Sequence, residues 1–217
     1  MTKLPAIVSL AEFSSSLSQI VQEESPPSVE CPEPQLWSMY DGMATEVEVL
    51  QFLYALIRML KPATIIETGT YLGYGTAHLA LAAAHNDLGC VHTAEPKREL
   101  ALSAENLFKR LDLSDRVRMF VGPGIEMMRS ADWGLGSVDF AFLDSDCGTR
   151  IEEMTALLPH LHEGSVVAVH DTSLLHQRVN LGPRVPFKVF ASNHDMEVMN
   201  FNTPRGLMLL RKRPQYV

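Results

Sequence analysis

The residues best placed to do chemistry lie in Ile65–Thr76, IIETGTYLGYGT. The apolar run Ala63–Ile66 ends in Glu67, and Gly69, Gly73 and Gly75 follow at once. The alanine-rich pattern Ala77–Ala84 comes next. Glycine lacks a Cβ, so backbone there can approach a ligand closely. The helix start offers unpaired N–H groups to an anionic group. Glu95 closes the run Cys90–Ala94, about 20 residues past that turn. From such a position a carboxylate accepts hydrogen bonds from both hydroxyls of a ribose. A solvated loop acid is the plainer use. The order G-x-x-x-G-x-G is not the G-x-G-x-x-G of a dinucleotide fingerprint. An acid at Glu67 suits a ligand with a cationic amine better than it suits a pyrophosphate.

These residues need elements to hold them. Short apolar runs predict strands at Thr64–Glu67, Cys90–Ala94, Val117–Val121, Val138–Leu143 and Ser165–His170. Helices are expected between them, at Gly75–His85, Lys97–Leu111, Gly124–Arg129 and Thr149–Leu161. Gly164 stands where a helix end uses a positive φ. Such alternation means a parallel sheet covered on both faces. Upstream, Val47, Leu50, Leu53, Tyr54, Ile57 and Leu60 recur at helical spacing, and Lys61-Pro62 ends that helix. Downstream, Pro186–Ser192 reads as helical. Met196–Phe201 and Gly206–Arg211 read as a hairpin that reverses the last strand. The expected fold is therefore α/β, a doubly wound, mostly parallel, seven-stranded sheet ending in an antiparallel hairpin. Residues 1–40 are expected to form an arm or lid, with a short helix near Leu10–Gln22 and a Pro-rich linker at Ser25–Pro34. The main domain then covers residues 41–217.

Composition narrows the function. A net charge of −8 over 217 residues argues against general binding to nucleic acid. The three cysteines, Cys31, Cys90 and Cys147, have no metal-type spacing and suit a reducing compartment. No apolar run approaches the length of a membrane span, and no signal pattern is seen. The expectation is a cytoplasmic protein with no nucleic-acid or membrane partner.

Ligands of such sheets bind beyond the C-terminal ends of the strands. Those ends read Glu67-Thr68-Gly69, Ala94-Glu95-Pro96, Gly122-Pro123-Gly124, Asp144-Ser145-Asp146 and His170-Asp171-Thr172. In ETGTYLGYGTAHLA, VDFAFLDSD and GSVVAVHDT the chain resembles the small class I methyltransferases, above all catechol and caffeoyl-CoA O-methyltransferases. The resemblance covers roughly residues 40–215, in several motifs with matching order and spacing. It implies a Rossmann-like methyltransferase fold, S-adenosylmethionine as cofactor, O-methylation of a small molecule, and an ability to dimerise. Gly69, Tyr71 and Gly73 would line the methionine part of the cofactor, with Glu67 beneath; Glu95 would hold the ribose. Gly122, Pro123 and Gly124 would flank the adenine, and Met43 and Thr45 would close over the sulfonium. Asp144 would sit beside the transferred methyl. Core packing is an equal use for Met43 and Tyr71.

The resemblance also leaves open a divalent metal ion. The positions that match the metal ligands of those enzymes read Asp144, His170 and Asp171, with an imidazole where the relatives keep oxygen donors. Cys147 stands near the place of the catechol enzymes' lysine base. His170 therefore has three readings: a general base, a metal ligand with Asp144 and Asp171, or a hydrogen-bonded tie between loops. Asp171 can orient a histidine in all three. Asp146 reads as a turn acid, and His160, His162, His176 and His194 as surface residues. Two other functions stay open: a non-catalytic cofactor-binding module and a nucleotide-dependent oxidoreductase.

Overall fold

A computed structural model describes residues 9–24, 35–130, 136–173 and 184–213. The stretch Ser25–Pro34 and His176 lie outside the described residues. The elements run α1 (Leu10–Glu24), α2 (Val47–Leu60), β1 (Thr64–Thr68), α3 (Tyr74–Asn86), β2 (Cys90–Glu95), α4 (Arg98–Arg110) and β3 (Val117–Val121). They continue α5 (Gly124–Ser130), β4 (Val138–Leu143), α6 (Arg150–Leu157), β5 (Leu161–His170), α7 (Arg184–Asn193), β6 (Met196–Phe201) and β7 (Leu207–Lys212). Among the described residues the sheet has seven strands in the order β3-β2-β1-β4-β5-β7-β6. β1 to β5 are mutually parallel, and β7 runs antiparallel to both β5 and β6.

The central strands β4 and β5 are apolar on both faces because both faces are covered. Phe140 and Phe142 of β4 pack with Leu50, Leu53, Ile57 and Leu79 of α2 and α3. Their neighbours Ala141 and Leu143 pack on the other side, with Met128, Met154, Leu157 and Phe187. α2 presents Val47, Leu50, Leu53 and Ile57 as one buried face, as their spacing predicts. It stops at Lys61, whose left-handed backbone (φ 52°) closes the last turn ahead of Pro62.

Two boundaries differ from expectation by more than two residues. The helix expected over Thr149–Leu161 ends at Leu157, and a 3-10 turn, Leu158–His160, carries Pro159 into β5. Proline has no N–H to continue the helix ladder. β5 thus begins at Leu161, and Gly164 (φ 89°) lies inside it where the pairing with β4 shifts register, not past a helix end.

Register sets the site. Thr68 is level with Ala94 and Leu143, and Leu143 is level with Val169. The next residues, Gly69, Glu95, Asp144 and His170, therefore emerge along one rim. Strand order reverses between β1 and β4, the switch point at which doubly wound sheets open a crevice. Because β7 is reversed, its beginning faces the same rim: His170 pairs with Leu207, which places Arg205 and Gly206 beside Asp171. No described helix is long and apolar enough to cross a membrane.

Candidate functional site

The turn after β1 is held from both sides. The N–H groups of Gly69 and Thr70 donate to the Ala94 carbonyl at 3.1 and 3.2 Å, and Gly73 N–H donates to Thr70 O. A Cβ on Gly69 would stand 2.4 Å from the Asp144 carbonyl oxygen, and φ is +86° there. Only glycine lets the turn lie this close to β4. Gly73 and Gly124 are buried, and a Cβ on either would meet protein: the Phe108 ring at 2.8 Å, and Thr68 Cγ2 at 2.4 Å. Those two glycines serve close packing of the turns. Gly122 and Pro123 lie at the end of β3, with Gly122 N–H donating to the Glu95 carbonyl at 3.0 Å.

Glu95 is buried, and its carboxylate turns back on the loop. Tyr71 N–H donates to Oε2 at 2.9 Å and Lys97 N–H to Oε1 at 3.0 Å. Tyr71 holds a left-handed backbone (φ 51°), unusual for an aromatic residue, and its hydroxyl donates to Asp41 at 3.2 Å. The loop thus reaches across to the segment before α2. Glu67 lies under the turn, bonded by the Thr93 hydroxyl at 2.7 Å and by the Thr76 hydroxyl of α3. Burial outweighs those donors and pushes Glu67 up to about 8, so the carboxyl carries a proton at neutral pH. Buried beneath the turn, Glu67 ties β1 to α3 and β2.

At the other end of the rim, Asp144, His170 and Asp171 come together; their ligand-type atoms lie within 4.8 Å of one another. The surroundings hold more. His170 is fully buried, with Nε2 at 2.7 Å from Glu46 Oε2 and Nδ1 at 3.0 Å from Asp144 Oδ1. Carboxylates can only accept, so both ring nitrogens carry protons. Burial disfavours that charge, but Asp144 and Asp171 overcome it and raise His170 to about 9. In this arrangement both ring nitrogens of His170 face carboxylates. The ring thereby links Glu46, at the start of α2, to Asp144, just past β4.

Three partners of this cluster were not singled out in the sequence. Arg150, 2% exposed, reaches Asp144 at 3.3 Å and Asp171 at 3.0 Å, and also donates to the Ser145 and His170 carbonyls. Arg205 donates from Nε to Asp171 Oδ1 at 2.8 Å, from Nη1 to Ala44 O at 2.9 Å and from its N–H to Glu46 Oε1 at 2.9 Å. Burial works against the Asp171 charge, but His170, Arg205 and Arg150 hold it below the usual carboxylate range. Glu46 is likewise held low despite its burial, chiefly by His170. A spacing rule finds neither Arg205 nor Glu46, because the turn before β7 and the segment before α2 are far from β4 in the chain; Arg150 opens α6, close after Asp144. Met43 is exposed at the rim, whereas Thr45 is buried and donates to Asp144 Oδ2 at 2.6 Å. Asp146 accepts Gly148 N–H at 2.8 Å, the turn role expected of it. Among the other histidines, His194 is exposed on Phe190, while His162 is half-buried against Asp139 at 3.0 Å.

Comparison with known proteins agrees with this geometry. A family model described as a methyltransferase domain matches residues 66–172, from β1 through β5. A probable O-methyltransferase of Mycobacterium tuberculosis is 33% identical over 123 residues, 53% of this chain and 52% of that protein. The chain thus spans about half the length of that relative. Caffeoyl-CoA O-methyltransferase of Pinus taeda is 23% identical over 85% of this chain and 71% of its own length. Among solved structures, an O-methyltransferase from Bacillus cereus in complex with SAH has a TM-score of 0.68 at 20% identity, covering 91% of this chain and 90% of that one. The Streptomyces achromogenes O-methyltransferase TomG, in complex with SAM, has a TM-score of 0.69 at 22% identity, covering 94% and 90%. With that fold, the matched methyltransferase-domain model from β1 to β5 and the acid-lined rim they build, the chain is similar to the class I S-adenosylmethionine-dependent methyltransferases.

Proposed function

We propose that this chain methylates a hydroxyl oxygen of a small molecule, with S-adenosylmethionine as the donor. The observation that carries the reading is the rim itself: Glu95, bound to the backbone of the glycine turn, stands across that turn from Asp144. When bound, S-adenosylmethionine supplies a methyl group already activated on a sulfonium. The chain must then hold, orient and keep out water. Each Glu95 oxygen accepts one backbone N–H and retains a lone pair for a ribose hydroxyl. Gly69, Tyr71 and Gly73 would enclose the methionine part, and Gly122, Pro123 and Gly124 the adenine. Met43 and Thr45 would close the site from the segment before α2.

With His170 fully engaged, the acceptor's proton falls to Asp144, whose Oδ2 faces Thr45. A carboxylate is a weak base, so an acidic hydroxyl suits it better than an alkyl alcohol. A phenol, ionising at about 10, is the better match. Asp171 acts by holding the guanidinium and imidazolium groups around Asp144. The reversed strand β7 and the glycine order speak against an oxidoreductase.

Calorimetry with S-adenosylhomocysteine tests the cofactor half. We expect tight binding by the native chain and a loss of about tenfold to a hundredfold in Glu95→Ala, the worth of charge-assisted hydrogen bonds. Tight nicotinamide binding without S-adenosylhomocysteine binding would overturn it. Methyl transfer to a library of phenols and hydroxy acids tests the other half, with Asp144→Ala as the control. Intact cofactor binding with no turnover anywhere would leave a binding module. Cytoplasmic residence and a homodimer belong to the same proposal. The free thiols of Cys90 and Cys147 support the first, and Val198 and Met199, exposed on β6 at the sheet edge, support the second. Sedimentation of the purified chain checks the dimer.

A further inference from the structure

We propose that the acid set at the ends of β4 and β5 is closed to divalent ions in this chain, its positive charge being built in as Arg150, Arg205 and the His170 imidazolium. These three are positioning residues for Asp144, Asp171 and Glu46. The inference rests on the methyl-transfer reading above and removes a metal ion from it.

By spacing alone Asp144, His170 and Asp171 could surround an ion. The partners of each atom say otherwise. A metal-bound histidine offers an unprotonated nitrogen. Here Nε2 faces Glu46 at 2.7 Å, and Nδ1 faces Asp144 at 3.0 Å and Asp171 at 3.6 Å, so neither nitrogen has a lone pair to give. Asp144 Oδ1 meets Arg150 and His170, and its Oδ2 accepts the Thr45 hydroxyl. Asp171 Oδ1 accepts from Arg205, and its Oδ2 meets Arg150 at 3.0 Å. The remaining carboxylate, Glu46, is taken by His170 and by the backbone N–H of Arg205.

Charge gives the same answer. The carboxylates of Glu46, Asp144 and Asp171 face the cations of Arg150, Arg205 and His170, so the cluster is neutral as it stands. Adding a divalent ion would leave two uncompensated charges in a buried place, which is strongly unfavourable. Arg150 cannot swing away to make room, because it is 2% exposed and also holds the carbonyls of Ser145 and His170. Arg205 is the more accessible guanidinium, with its side chain 14% exposed. It joins Asp171 to Ala44 and Glu46, and so fixes the segment that carries Met43 and Thr45.

The test is ion binding, read from the free Mn²⁺ signal in electron paramagnetic resonance, with and without S-adenosylhomocysteine. The native chain is expected to leave the Mn²⁺ titration as it is in buffer. Arg205→Leu removes one cation and should bind Mn²⁺ at least about tenfold more tightly, whereas Arg205→Lys keeps the charge and should stay closed. One Mn²⁺ per native chain, abolished in Asp171→Asn, would overturn the proposal. So would an Arg205→Leu protein that is folded by circular dichroism and binds Mn²⁺ no better than the native chain. Should Arg205→Leu fail to fold, the native titration and its Asp171→Asn partner still decide. No step uses turnover, so a failure here leaves cofactor binding and methyl transfer standing.

Discussion

At the scale of single residues, two buried histidines pull the pH dependence in opposite directions. His170 faces Glu46, Asp144 and Asp171, and the fold raises it to about 9. Its stabilisation is complete below about 6.5, the unfolded value, and is lost as pH rises toward about 9. His78 is fully buried between the Tyr74 carbonyl, the Tyr40 hydroxyl and the Phe13 ring, and burial lowers it to about 4. Below about 6.5 the unfolded chain takes a proton that the fold refuses, so stability also falls toward about 4. Urea midpoints measured across pH should therefore show a maximum near neutrality. Replacing His170 by glutamine should flatten the alkaline side. It should also cost about 3–5 kcal/mol at neutral pH, since it strands Glu46 and Asp144 against a neutral group. An unchanged alkaline limb in that variant would refute the assignment of an imidazolium.

At the scale of elements, turns are where the site is most sensitive. Gly206 opens β7 with φ +85°, and a Cβ there would stand 2.1 Å from the Ser173 nitrogen. Its carbonyl accepts Thr172 N–H, and the Arg205 carbonyl accepts Ser173 N–H at 2.8 Å. Gly206→Ala is expected to destabilise by more than about 2 kcal/mol, adding a clash to a strained φ, and to lower the thermal midpoint. Gly69→Ala pushes the turn off the Asp144 carbonyl and should remove S-adenosylhomocysteine binding, read by calorimetry, while the protein still unfolds cooperatively. A Gly69→Ala protein with native affinity would show that the turn does not hold the cofactor. Arg205 escapes the pattern of strand ends for a reason at this scale. It does not stand at the C-terminal end of a parallel strand: the antiparallel strand β7 brings its N-terminal turn to the same rim.

At the scale of the whole molecule, α1 belongs to the core. Phe13 and Leu17 of α1 are 1% and 0% exposed and join the apolar cluster of α2 and α3. Phe13→Ala should therefore lower stability by about 3–4 kcal/mol in thermal or urea denaturation. A loss near zero would mean that α1 is an attached arm. The strand and helix order was readable because two-sided burial makes each parallel strand a short apolar run and each helix a periodic one. The glycine turn and Glu95 were readable for a related reason: backbone conformation and chain spacing are local properties. Neutral Glu67, doubly protonated His170 and the cations of Arg150 and Arg205 were not. A proton's place depends on burial and on charges brought near by folding, and Glu46, Asp144, His170 and Arg205 lie on four separate parts of the chain. By itself the sequence determined the sheet, the turn and the place of Glu95 at the end of β2; only the tertiary structure decided which acids and bases stand charged, because that follows from distances no spacing encodes.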